Sequence, residues 1–373
     1  MRIVYVTRGW TVHDRRFAFS LVEAGHQVAY RAVESIPPQG EAALARPGIA
    51  SVASWGASGP SFWPRVPKMV RALRGLGEEW NADIVHAGPI QRGALVAALA
   101  GRRPTLSMSW GSDILRDARV GAGRWQASFV LRRSDALACD CETVRARCVE
   151  LGMDPARIVV FPWGVDLDKF APGSGDGLRS SLGWEKAMVM VAARAWEPLY
   201  GMGLVAEAFV LASKKEPNLR LLMLGDGSER ERIRGRLGGL IASSHLPGQV
   251  DHSELPRYLS AADVYVSASR SDGSSVTLLE SMAAGLPAIV SDIAPNREWV
   301  KDGVNGWVFR DGEAQSLAAA ILRACASRQE LPALGQAARR TVEARADWRA
   351  NFPRLLEAYE LARAAWRMKP HAA

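Results

Sequence analysis

The sequence predicts an α/β protein made of two successive doubly wound parallel sheets. Three observations carry that prediction. Short β-branched and aliphatic runs alternate with stretches of helical periodicity along the whole chain, the pattern of parallel βαβ units. The alternation breaks at residues 164–177, GVDLDKFAPGSGDG, whose glycines and proline read as a linker. The length of 373 residues suits two domains of ordinary size.

In the first half, strands are expected at Arg2–Thr7, Gln27–Ala32, Ala50–Ser54, Asp83–Ala87, Thr105–Ser109, Ala136–Cys139 and Ile158–Phe161. Helices lie between them, among them Asp14–Ala24 and Glu142–Leu151, the latter closed by Gly152. The second series runs Ala187–Ala193, Leu219–Leu224, a short strand near Val250, Val264–Ser267, Ala288–Ser291 and Trp307–Phe309. Phe352, Leu355, Leu356, Tyr359 and Leu361 then recur at helical spacing. The domains expected are 1–165, 166–347 and a C-terminal helix, 348–373, returning to the first. Parallel sheets bind ligands beyond the carboxyl ends of their strands. The site is therefore expected where the two sets of ends face each other.

Composition excludes several classes. Hydrophobic residues are 48% and charged residues 23% of the chain, enough apolar surface to exclude disorder as the main state. No apolar run approaches the 18 or so residues of a spanning helix, and MRIVYVTRGW reads as a core strand rather than a leader. A cytoplasmic protein is expected, with peripheral contact at the inner membrane face open. Cys139, Cys141 and Cys148 have no nearby histidine and no zinc spacing, so they read as reduced buried thiols.

The net charge is +8, and residues 1–165 hold 21 Lys and Arg against 14 Asp and Glu. That asymmetry favours an anionic partner for the first half: nucleic acid, a membrane surface or a phosphorylated substrate. No recognised nucleic-acid module accompanies it, so nucleic acid is not expected as a partner. On a helical wheel over RVPKMVRALRGL, residues 65–76, Val66, Met69, Val70, Leu73 and Leu76 share one arc. Arg65, Lys68, Arg71 and Arg74 take the other, either as a solvated face or as a dock for an anionic membrane. Phe62 and Trp63 stand ready to enter the interface in the second case.

The chemistry concentrates in VYVSASRSDGSSVTLLESMAAGLPAIVSD, residues 264–292. A strand ends, a polar loop follows, and a helix starts near Ser275, where unpaired backbone N–H groups favour phosphate. Asp272 lies in the loop and Glu280 in the helix, about 9 Å along the axis from Ser274. That is the length scale of a nucleotide sugar.

The stretch resembles the retaining glycosyltransferases of family 4, of GT-B fold. An acid, seven residues, a glutamate and Gly-Leu-Pro follow the family motif, with Asp272 in place of the usual glutamate. AGHQV (24–28), ADIVHAG (82–88), SWGSD (109–113), FPWGVDLDKFAP (161–172) and LLMLGDGSE (221–229) resemble further family segments in the same order. Trp110 and Trp163 replace a histidine and an asparagine. Where the family opens its second lobe with an arginine and then a lysine before glycine, ARAWEPLYGM supplies Arg194 but has Tyr200 before Gly201.

The resemblance implies a metal-independent retaining transferase with no cofactor, the nucleotide sugar being substrate. UDP-sugar is the expected donor, and a glycan, lipid-linked or small-molecule hydroxyl the acceptor. Glu280 would hold the ribose, Asp272 the transferred sugar, and Arg194 the diphosphate with Gly273, Ser274, Ser275 and Val276. Tyr200 and Arg270, or Arg8, would compensate for the lost lysine. Gly9, Gly111, Gly225, Gly227 and Val250 complete the expected donor contacts. Asp113 and His86 join Arg194 and Asp272 as expected catalytic residues, although each also reads as a helix cap or a core histidine. Trp10, Trp110, Trp163 and Trp196 follow strands, either to stack on sugars or to pack under loops. Asp166–Leu167–Asp168 matches the Asp-x-Asp metal motif of another transferase fold but reads as the hinge. A sugar-nucleotide epimerase of the same fold and a basic nucleic-acid-binding protein are the competing readings.

Overall fold

A computed structural model of the chain describes residues 1–173 and 176–369. Residues Met1–Phe161, with the chain from Phe352 onward, form one compact unit, and Pro162–Asn351 form a second. The first holds β1 (Arg2–Thr7), β2 (Gln27–Ala32), β3 (Ile49–Ser54), β4 (Ile84–Ala87), β5 (Thr105–Met108), β6 (Ala136–Cys139) and β7 (Ile158–Val160). They pair in parallel in the order β3-β2-β1-β4-β5-β6-β7. The second holds β8 (Met188–Ala193), β9 (Leu219–Leu224), β10 (Ser244–Gly248), β11 (Val264–Ser267), β12 (Ala288–Ser291) and β13 (Gly306–Phe309). Their order is β10-β9-β8-β11-β12-β13, again parallel.

The central strands β4, β5, β6, β11 and β12 are buried at every position, because helices cover both faces of each sheet. Strand order reverses between β1 and β4 and between β8 and β11. A crevice opens at such a switch point, and the loops after these four strands carry most of the expected site residues.

The expected strands lie within a residue or two of the observed ones, with one exception. The strand expected near Val250 is Ser244–Gly248, and Val250 follows it, half-buried. Its sequence, SHLPG, is half-buried at each position, and its register shifts between His245 and Gly248. Pro247 has no N–H to pair, so the edge strand carries little hydrophobic signal.

The C-terminal helix, Trp348–Arg367, buries Leu355, Ala358, Tyr359 and Ala362. The helix Phe62–Glu79 buries Met69 and Leu73 and leaves Arg65, Lys68, Arg71 and Arg74 exposed, as the wheel predicts. Two of those cations are tied to backbone carbonyls: Arg65 Nη1 donates to that of Trp55 at 3.1 Å, and Arg74 to those of Ala100 and Leu99, at the end of a helix, each at 2.8 Å. Phe62 does not stand at the surface. It is fully buried, with the Arg92 guanidinium 4.5 Å from its ring centre, whereas Trp63 is 53% exposed. Among the described residues no helix is long and apolar enough to cross a membrane. Cys139, Cys141 and Cys148 form no disulfide and are buried.

Candidate active site

In the second unit, Arg194 follows β8 directly, and the loop after β11 leads to the helix Val276–Ala283 with Ser275 as its N-cap. Arg194 Nη1 donates to Ser275 Oγ at 2.8 Å, and Nη2 to Asp272 Oδ2 at 2.6 Å. The Arg194 and Asp272 side chains are only 12% and 15% exposed, so water screens this ion pair weakly. Burial pushes the Asp272 carboxyl up, against the pull of Arg194. Burial also works against the charge of Arg194, but Asp272, Tyr265 and Tyr200 together hold its pKa above the ordinary value.

Tyr200 occupies the lysine position and brings no charge; its ring lies beneath the Arg194 guanidinium at 4.2 Å. Arg270 is exposed, with its backbone N–H on the Leu199 carbonyl at 2.9 Å. Gly273 is buried and donates to Asp272 Oδ1 at 3.1 Å, while Ser274 Oγ accepts from the Trp299 indole at 3.0 Å. Val276 opens the helix and is buried.

Gly225 and Gly227 are required by the chain itself. Gly225 has φ +106°, and a Cβ there would lie 2.1 Å from the Arg194 carbonyl oxygen; at Gly227 it would lie 2.6 Å from that of Trp196. These positions let the loop after β9 pass beneath the loop that carries Arg194.

Glu280 is 4% exposed. Its Oε1 lies 2.7 Å from His252 Nε2, and His252 Nδ1 lies 2.8 Å from Lys169 Nζ. Sequence spacing points to neither partner: His252 comes from the loop after β10, and Lys169 from the stretch read as linker.

In the first unit the expected residues are more deeply placed. His86, on β4, is 1% exposed, with Nδ1 2.8 Å from the Tyr359 hydroxyl and the rings of Tyr5 and Phe17 edge-on to it. Burial pushes its pKa down to about 3, so it is neutral. Enclosed by aromatic rings, it is not presented to a reacting atom, which corrects the expectation of a catalytic histidine. Asp113, 5% exposed, accepts from the backbone N–H of Ile90 at 2.9 Å and of Trp110 at 3.0 Å, and from Ser109 Oγ at 2.8 Å. It is a knot tying the loops after β4 and β5 together rather than an open carboxylate. Burial pushes it up to about 6 despite those bonds.

Gly111 caps the short helix after β5 with φ +84°. Gly9 is buried, and its carbonyl accepts from the Tyr30 hydroxyl. A Cβ at Gly9 would meet nothing within 4 Å. Arg8 is paired with Glu34 at 2.8 Å. Of the four strand-end tryptophans, Trp163 and Trp196 are buried at 2% and 3% exposure, and so pack under loops; Trp10 and Trp110 are half-buried. The Asp-x-Asp carboxylates are engaged, Asp166 by its own turn and Asp168 by Arg349 at 2.7 Å.

The Glycosyltransferase Family 4 pattern fits residues 7–169, and that of Glycosyl transferases group 1 fits residues 178–341. A D-inositol 3-phosphate glycosyltransferase of Geodermatophilus obscurus is 31% identical over 79% of this chain and 65% of its own length. EpsD of Bacillus subtilis is 30% identical over 75% of this chain and 77% of its own. Against the phosphatidyl-myo-inositol mannosyltransferase of Mycobacterium tuberculosis, 32% identical, the match spans 56% of this chain and 55% of that protein. Among solved structures, HepE of Anabaena in complex with UDP-glucose superposes with a TM-score of 0.80 over 96% of this chain and 99% of that one, at 18% identity. Sucrose-phosphate synthase of Thermosynechococcus elongatus gives 0.80 over 98% and 100%, at 19%. The chain belongs to the glycosyltransferases of group 1 and Family 4, built on the GT-B fold.

Proposed function

We propose that the protein transfers a sugar from a UDP-sugar to a hydroxyl of a glycan or lipid-linked acceptor, with retention of configuration and without a metal ion. The observation that carries this reading is the convergence of Arg194, Asp272 and Ser275 at the switch point of the second sheet, with Glu280 on the helix that follows. A guanidinium in so enclosed a place stabilises charge developing on a leaving diphosphate far better than one in water. Its present partner, Asp272, would turn to the hydroxyls of the transferred sugar as phosphate takes its place. The N–H groups at the start of the helix add further donors, and Glu280 would accept from the ribose.

The first unit would hold the acceptor, and its Gly9 and Gly111 would approach the donor, with Asp113 and His86 fixing the loops behind them. The structural neighbour bound to UDP-glucose supports the choice of donor. Relatives named for diphosphoundecaprenol and phosphatidyl-myo-inositol support a lipid-linked acceptor, and with it peripheral contact of the basic helix with an anionic membrane.

Titration of UDP, GDP and ADP into the parent and Glu280→Gln tests the donor site. The variant should bind the preferred nucleotide about 10–100-fold more weakly, the range for a lost charged hydrogen bond, with its Tm nearly unchanged. Equal binding overturns the assignment. UDP-sugar turnover should persist in EDTA; its loss there, restored by magnesium or manganese, overturns the metal-free reading.

A further inference from the structure

Glu280 does not stand alone in its buried position. The ring of His252 joins it to Lys169, with Nε2 at 2.7 Å from Glu280 Oε1 and Nδ1 at 2.8 Å from Lys169 Nζ. An ammonium has donors only. Nδ1 must therefore accept, which leaves the proton of the neutral ring on Nε2, where it donates to Glu280. The tautomer is set by the chain's own residues. Lys169 is placed in turn by the Asp166 carboxylate, which accepts from the backbone N–H groups of Asp168 and Lys169, each at 3.1 Å. Phe170 packs on the ring of His252, with centroids 5.4 Å apart. Every degree of freedom of the imidazole is thus fixed: its plane, its tautomer and its partner.

The consequence falls on Glu280. A carboxylate with both oxygens unrestrained swings between rotamers and pays for being ordered when a ligand arrives. Here Oε1 is held by His252. We propose that His252, oriented by Lys169, is a positioning residue of the donor site: it locks Glu280 so that Oε2 is pre-aimed at a ribose hydroxyl. This rests on the donor reading above and adds ribose discrimination as the property that His252 controls.

The test measures ribose discrimination directly, by calorimetric binding of UDP, GDP and ADP, each against its 2′,3′-dideoxy counterpart. The parent should prefer the ribonucleotide by at least about tenfold, the scale of one charged hydrogen bond. In His252→Phe, which keeps the ring's bulk but donates nothing, that ratio should fall below about threefold, through loss of affinity for the ribonucleotide alone. His252→Gln, which can still place an N–H near Glu280, should recover most of it. A parental ratio retained in His252→Phe overturns the proposal and leaves the donor reading intact. A parent that binds none of the three nucleotides, or that ignores the ribose hydroxyls, overturns the donor reading itself and the proposal with it. If His252→Phe does not fold, Lys169→Met carries the same test. It releases the tautomer without removing the ring, and an unchanged ratio there is equally fatal.

Discussion

Asp113 and His86 occupy neighbouring loops and strands of the first unit, and burial moves their pKa values in opposite directions. His86 has an ordinary value of 6.5 and a folded value of about 3. Between those limits the unfolded chain takes up a proton that the folded chain refuses, so this residue costs stability as pH falls. Asp113 has an ordinary value of 3.8 and a folded value of about 6. In that window the folded chain holds the extra proton, and stability is gained as pH falls. From about pH 4 to 6 the two slopes oppose each other. Asp113→Asn removes one of them. Its unfolding free energy, from urea titrations at a series of pH values, should rise with pH more steeply than the parent's, by up to about 1.4 kcal/mol per pH unit. Parallel curves would show that the Asp113 carboxyl does not titrate as its burial requires.

At the scale of elements, the helix Phe62–Glu79 separates structural cations from available ones. Arg65 and Arg74 hold backbone carbonyls, so Lys68 and Arg71 are the pair best placed to meet an anionic surface. Each cation near such a surface is worth about 1 kcal/mol. Lys68→Gln with Arg71→Gln should therefore lower affinity for phosphatidylserine vesicles about 30-fold at unchanged Tm. Undiminished co-sedimentation would return the helix to a solvated face. The same helix shows where sequence reading works and where it stops. Its buried and exposed arcs were legible, because a 3.6-residue period reports which side faces a core. Phe62 was misread, because the Arg92 side chain that covers it arrives from another element. Strands with continuous apolar runs were legible; β10, with histidine, proline and glycine, was not. Asp272, Arg194 and Glu280 could be picked out because they stand in short segments that resemble the family's motifs. The partners of Glu280 could not, since Lys169 and His252 lie 83 positions apart and only the folded chain brings them together.

At the scale of the whole molecule, the last described residue is anchored. Lys369 Nζ lies 2.5 Å from Asp135 Oδ1, a carboxylate 1% exposed whose other oxygen accepts from the Thr105 N–H at 2.8 Å. Burial pushes the Asp135 carboxyl up and Lys369 draws it back. Lys369→Met should cost about 1 kcal/mol at pH 7, a modest figure because the ammonium is still partly in water. The loss should shrink as pH falls through the raised pKa of the folded Asp135 carboxyl, whose neutral form gains little from the ammonium. A pH-independent difference in unfolding free energy between parent and variant would assign the effect to packing instead.

That anchored helix belongs to a unit whose other residues end at Phe161. A ribosome adding roughly 5–20 residues per second needs on the order of 10–40 s to travel from Phe161 to the end of the helix. Throughout that interval the nascent first sheet lacks Tyr359, so His86 has no hydroxyl to bind and the groove for Leu355, Ala358 and Ala362 stays open. The second unit, contiguous in the chain, has all its residues before the first does. The half of the molecule synthesised first is therefore finished last, and the apolar surface that its final helix covers stays exposed while it waits.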